Sequence, residues 1–189
     1  MRITVKVGLI AATVWILIRY GMHLAGLYLL SPAPAPAVLL NILGLLTAVV
    51  VGLYLHKKQA TEESNALLDM KQAMSAGLPY VVVVGAFIYL YYGKINPECY
   101  QHQITEKDVE IERMVNDPKQ FEAFKKQHED AEVMTKEQIV RKLKQNNKQW
   151  MSAGFTSTLA ILAMLMLATI YSMLVTIVLR RFLFPRGNS

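Results

Sequence analysis

The chain of 189 residues is 53% hydrophobic and only 18% charged, with a mean hydropathy of +0.29, which excludes an ordinary soluble domain of this length. Its formal net charge of +6 fits nucleic acid, an anionic lipid surface or the charge bias of membrane loops, and the placement of the charges decides between them. A single cysteine, Cys99, excludes an internal disulfide and a zinc site built on several thiolates.

Val7 to Leu30 is an apolar run of 24 residues with Arg19 as its one charge, long enough to cross a hydrocarbon core of about 30 Å. Arginine near a helix centre costs about 2.5 to 3.5 kcal/mol on insertion scales, and the surrounding aliphatics offset it. The run is longer than the apolar part of a signal peptide, and prolines crowd the small-residue site at Ala33-Pro34-Ala35, so it reads as a retained first span. Ser31-Pro32-Ala33-Pro34-Ala35-Pro36 is a stiff hairpin connection, because alternate prolines remove donors and favour extended backbone. Ala37 to Leu55 is span two, interrupted by Asn41 and Thr47 and closed by His56-Lys57-Lys58.

Gln59 to Gln72, with Glu62, Glu63, Asp69 and Lys71, reads as a short solvent loop in which a surface helix can start at Glu62. Ala73 to Tyr92 is span three. Its β-branched run Val81 to Val84 lies within 20 apolar residues, so it reads as helix rather than strand, and a kink is expected at Pro79. Tyr89, Tyr91, Tyr92 and Gly93, followed by Asn96-Pro97, mark the interface. Ala153 to Leu179 is a fourth span of 27 residues without charge, finished by Arg180-Arg181.

The lysines and arginines near span ends set the orientation. Arg2, Lys6, Lys57, Lys58, Lys71, Arg180, Arg181 and Arg186 all fall on one side of a four-span layout, whereas segment 94–151 carries 11 basic and 11 acidic residues. Both termini are therefore expected in the cytoplasm and the loop 93–152 in the periplasm. Nucleic acid is not expected as a partner, because the basic residues flank spans rather than forming one face. The organisation expected is spans one to three within 1–92, a helical loop over 93–152, and span four with a tail over 153–189. The fold class is all-α, an integral membrane four-helix bundle with an extracytoplasmic helical insertion between spans three and four.

Within the loop, Thr105 with Asp108, Asp117-Pro118 with Gln120, and Thr135 with Gln138 each place a capping residue three before a side chain able to cap back. They predict helices over 106–115, 118–131 and from 136 onward. No Gly or Pro separates Lys136 from Ala153, so one helix over 136–179, about 65 Å long, is expected. Phe121, Phe124, Ile139, Val140 and Leu143 fall at helical spacing and are the candidate partner-binding residues, a small helical cap that folds on itself being the alternative.

Arg19 and His23 share one face of span one, and an ionisable residue inside a membrane is a functional hypothesis by default. No acid lies within the predicted span cores, which leaves Asn41, Thr47, backbone near Pro79, lipid phosphate or another subunit as company for Arg19. Gly44 with Gly52, and Gly77 with Gly85, share faces that allow close helix approach. Cys99, His102 and His128 lack recurring ligand spacing and read as surface residues, so no metal or other cofactor is expected. No HExxH, GxSxG, Walker or GxGxxG signature occurs, and no enzyme is expected.

The layout, the aromatic exit Tyr91-Tyr92-Gly93-Lys94-Ile95-Asn96-Pro97-Glu98 and the closing Arg180-Arg181 resemble the bacterial membrane-protein family catalogued as domain of unknown function 4199. The resemblance implies a multi-pass bacterial inner-membrane location and this layout, and no active site. The functional expectation is an accessory or assembly component that meets a membrane or periplasmic protein through its exported loop, with the lipid bilayer and a second copy of the chain as further partners. The alternative is a small transporter or channel component using Arg19 and His23.

Overall fold

The computed structural model describes residues 2–27, 31, 35–59, 65–127 and 134–183. Regular structure among them is helical throughout: α1 (Ile3–Leu24), α2 (Ala35–Gln59), α3 (Ala66–Leu90), α4 (Glu98–Asn116), α5 (Pro118–Gln127), α6 (Lys136–Trp150) and α7 (Ala153–Val178), with π-helical turns at Tyr91–Ile95 and Leu179–Leu183. Four stretches, Ile3–Leu24, Ala35–Gln59, Ala66–Ile95 and Ala153–Leu183, are long and apolar enough to cross a membrane. The all-α, four-span reading therefore holds. Two compact units result, one from α1, α2, α3 and most of α7, the other from residues 90–156.

In the first unit each helix buries one stripe and exposes the other. On α1 the buried positions Thr4, Gly8, Ala12, Trp15 and Arg19 recur every three or four residues, while Ile10 and Leu17 are more than 60% exposed. Exposed apolar residues of this size, arrayed along long apolar helices, suit a lipid solvent. Leu45, Val49 and Leu53 of α2 meet Tyr80, Val81 and Val84 of α3 and Met164, Ala168 and Val175 of α7 in one core. Small residues let the backbones approach, since packing rather than hydrophobic transfer holds helices together in lipid. A Cβ added to Gly52 would lie 2.5 Å from the Ala76 Cβ, and one added to Gly8 would run into the Ala76 carbonyl oxygen.

Several helix ends differ from the sequence expectation, each for a local reason. α1 stops at Leu24 rather than Leu30 because Gly26, at φ 72°, ends it. The Leu27 N–H donates to the Met22 carbonyl and the Gly26 N–H to the His23 carbonyl, both at 2.9 Å, the pairing of a Schellman cap. α2 begins at Ala35, so Pro36 falls in its first turn, where a missing N–H costs nothing. Residues 32–34 of the expected proline hairpin, the proposed start at Glu62, His128 and Arg186 lie outside the described residues. α3 begins at Ala66 rather than Ala73, since the Asn65 side chain accepts from the Leu68 N–H at 2.7 Å and caps it. It stays helical through Pro79, which removes the donor for the Ser75 carbonyl.

The second unit holds α4, α5 and α6 around Val115, Phe121 and Ile139, with Met114, Phe124, Val140 and Leu143 packed against them. Asp117 caps α5 through Lys119 N–H at 2.9 Å, and the Gln120 side chain donates to its carboxylate at 3.0 Å. Thr135 and Gln138 cap α6 reciprocally. Thr105 is no cap: α4 starts at Glu98, and the Thr105 hydroxyl donates to the Gln101 carbonyl at 2.9 Å. The unbroken helix over 136–179 is also corrected. α6 ends at Trp150 with Met151 (φ −91°, ψ 56°) as its C-cap, and the Ser152 hydroxyl accepts from the Phe155 N–H at 3.2 Å, opening α7 with its own N-cap.

Candidate functional site

Lys57, Asp69 and Arg180 meet at one end of the first unit. Asp69 is 0% exposed, and its Oδ2 accepts from Lys57 Nζ at 3.0 Å and from Arg180 NH1 at 2.8 Å. Each residue sits where its helix favours its charge: Asp69 in the first turn of α3, Lys57 in the last turn of α2, and Arg180 in the turn that ends α7. The positive N-terminal dipole of α3 supports the carboxylate, and the negative C-terminal dipoles of α2 and α7 support the cations. The triad thus fastens three helix ends. α1 joins them through Ser75, whose hydroxyl donates to Thr4 Oγ1 at 2.6 Å. One turn further in, Gln72 and Thr176 are buried, and their Oε1 and Oγ1 have no hydrogen-bond partner among the described residues.

The sequence-predicted polar residues of the spans divide between packing and burial. Arg19 is 4% exposed and continues the buried stripe of α1, so its charge is covered by protein. His23 stacks on Tyr20 with centroids 6.1 Å apart. Asn41 is engaged elsewhere: the Tyr80 hydroxyl donates to its Oδ1 at 2.9 Å, and its Nδ2 donates to Met164 Sδ at 3.2 Å. It links α2 to α3 and α7. Thr47 is exposed and returns its hydroxyl to the Leu43 carbonyl at 2.8 Å. Asn41 and Thr47 thus serve their own neighbours.

In the second unit the candidate partner-binding residues Phe121 and Ile139 are 4% and 2% exposed, and Phe124, Val140 and Leu143 pack on them. They form the core of the unit. What remains open is a groove of about 680 Å³ along α6 and the end of α4, lined by Lys136, Arg141, Lys144 and Lys148 with one acid, Glu137. Lys144 also pairs with Glu112, whose hydrogen bond holds the Lys144 ammonium above its usual range. The Asn147 side chain donates to Asp108 at 3.2 Å, tying α6 to α4. In the same unit, Tyr91, Tyr92 and Tyr100 stack edge to face or tilted, with centroids 4.9 and 5.0 Å apart. The Tyr100 hydroxyl and Thr156 Oγ1 lie 2.6 Å apart, and burial raises the Tyr100 phenol pKa. Cys99 is 0% exposed, which corrects its reading as a surface residue.

Among known proteins, residues 6–181 match the family described as Protein of unknown function (DUF4199). The chain belongs to this family. No curated protein and no solved structure matches it. For this DUF4199 member the sequence reading missed the Asp69 triad, because the residue was assigned to a solvent loop. Two signals could have found it: Asn65 as a cap before Ala66-Leu67-Leu68, and an acid in the turn that follows. The pairing with Lys57 and Arg180 had no local signal, since 111 residues separate Asp69 from Arg180.

Proposed function

We propose that this DUF4199 protein is a non-catalytic, multi-pass component of the bacterial inner membrane whose helical unit receives an acidic segment of a protein partner. Its termini lie in the cytoplasm and its residues 93–152 in the periplasm. The observation that carries the partner reading is the basic groove along α6, which is open and built on a unit with its own core. Lys136, Arg141, Lys144 and Lys148 against Glu137 favour an acidic occupant by charge complementarity. The orientation rests on Arg2, Lys6, Lys58, Lys71 and Arg181 gathering near the starts and ends of the four long helices, in keeping with the positive-inside bias.

A photo-crosslinking residue at Gln145, in the groove, is expected to trap one adduct of discrete mass in cells, and one at exposed Val109 on α4 is not. Arg141→Glu with Lys148→Glu should lower the Gln145 adduct about tenfold; equal yield from both sites, or no response to charge reversal, would sink the partner reading. Orientation is tested separately. Native Cys99 should resist a membrane-impermeant maleimide on either side, because it is fully buried, so the reporter is exposed Gln101→Cys with Cys99→Ala. Labelling in intact spheroplasts is expected, and labelling only after lysis would reverse the assigned topology.

A further inference from the structure

A second groove, of about 530 Å³, runs along the first unit between α1 and α2, from Val7 to Ile18 on one helix and from Leu40 to Leu55 on the other. Its lining is apolar apart from Thr47, and that hydroxyl is already donated to the Leu43 carbonyl. Gly44 and Ala48 are among its lining residues, and the position a Cβ would take at Gly44 lies 2.5 Å from the Tyr80 hydroxyl of α3. That small-residue face is thus already used within the unit rather than left for a second copy of the chain. By the standard helical rise the groove covers about 16 Å along α1 and about 22 Å along α2, less than the roughly 30 Å of a whole hydrocarbon core. Its length suits one extended acyl chain.

The charged groups at one mouth specify the rest of the occupant. Lys6 lies one turn before Ile10 and Lys58 one turn beyond Leu55, so both fall on the faces that line the groove, and both are exposed. Lys57, the neighbour of Lys58 in sequence, is committed to Asp69. Among the described residues no acid pairs with Lys6 or Lys58. We infer that the α1–α2 groove binds one acyl chain of an anionic phospholipid, whose headgroup phosphate is held by Lys6 and Lys58. The inference rests on the four-span membrane reading and adds a ligand class to it.

Trp15 lines this groove and provides the readout. The full chain carrying Trp150→Phe leaves Trp15 as the one tryptophan, since the sequence has two. It is reconstituted into phosphatidylcholine vesicles holding equal mole fractions of either phosphatidylglycerol or phosphatidylcholine brominated in the acyl chains. Brominated phosphatidylglycerol is expected to quench Trp15 with an apparent affinity about tenfold higher, given two cations near an anionic headgroup. Lys6→Gln with Lys58→Gln should abolish that preference, and Lys71→Gln with Arg181→Gln, which removes the same charge from α3 and the end of α7, should leave it. Equal quenching by both lipids, or a preference that responds alike to both pairs of substitutions, overturns the site while leaving the membrane reading intact. Quenching by neither lipid overturns both, and quenching that falls as protein density rises assigns the groove to a second copy instead.

Discussion

Asp69→Asn should destabilise the bundle by about 3 kcal/mol, at the lower end of the range for breaking a buried ion pair because its two cations keep some solvent contact. The side chains of Lys57 and Arg180 are 13% and 19% exposed against 0% for Asp69. The variant leaves two positive charges facing an amide that cannot neutralise them, at the place where α2, α3 and the end of α7 meet. Equilibrium unfolding in mixed micelles reads this directly. Replacing the whole triad by apolar residues of similar size, Lys57→Met with Asp69→Leu and Arg180→Met, should recover most of the loss, because the cost lies in the uncompensated charges rather than in a missing net attraction. An Asp69→Asn protein that unfolds within about 0.5 kcal/mol of the parent would refute a fastening role for the triad.

The second large effect is expected at Gly8. The position where a side chain would begin is occupied by the Ala76 carbonyl oxygen of α3, well inside the 3.0 Å that real Cβ atoms respect. Backbone cannot swing aside as a flexible side chain can, so Gly8→Val should cost at least the roughly 1 to 3 kcal/mol of an overpacked core. Gly21, on the same helix, has nothing within 4 Å of the equivalent position. Gly21→Ala should therefore be neutral, or stabilising by up to about 1 kcal/mol through helix propensity. The same unfolding assay compares the two, and equal responses would mean that α1 does not pack on α3 as described.

Both predictions rest on contacts that local sequence could not supply. Gly8 was passed over because it lacks the paired spacing that drew attention to Gly44, Gly52, Gly77 and Gly85, yet its neighbour in space is Ala76. The caps at Asp117 and Thr135 were legible because a cap is a contact between residues three apart. Thr105 has the same pattern and is no cap, because α4 had already begun at Glu98. A cap signal within a longer helix has no free N–H groups to satisfy. Ser152 shows the converse, a helix boundary carried by one hydroxyl where the absence of Gly and Pro had implied continuity.

The candidate partner residues divide in the same way. Their helical spacing showed that Phe121, Phe124, Ile139, Val140 and Leu143 share a side, but spacing is the same for a face turned to a partner and one turned inward. Only the packing of α5 and α6 on α4 placed them in a core. That leaves the charged face of α6 as the open surface.

By itself the sequence determined the all-α class, the four apolar helices and the polar helical segment before the last of them. These follow from hydrophobic run length and composition, which act along the chain. Tertiary structure alone decided that Asp69 is buried between Lys57 and Arg180, that Gly8 faces a carbonyl oxygen, and that an apolar groove lies between α1 and α2. Each of these depends on which helix faces flank one another, and that is set by steric fit and charge pairing between residues far apart in the chain.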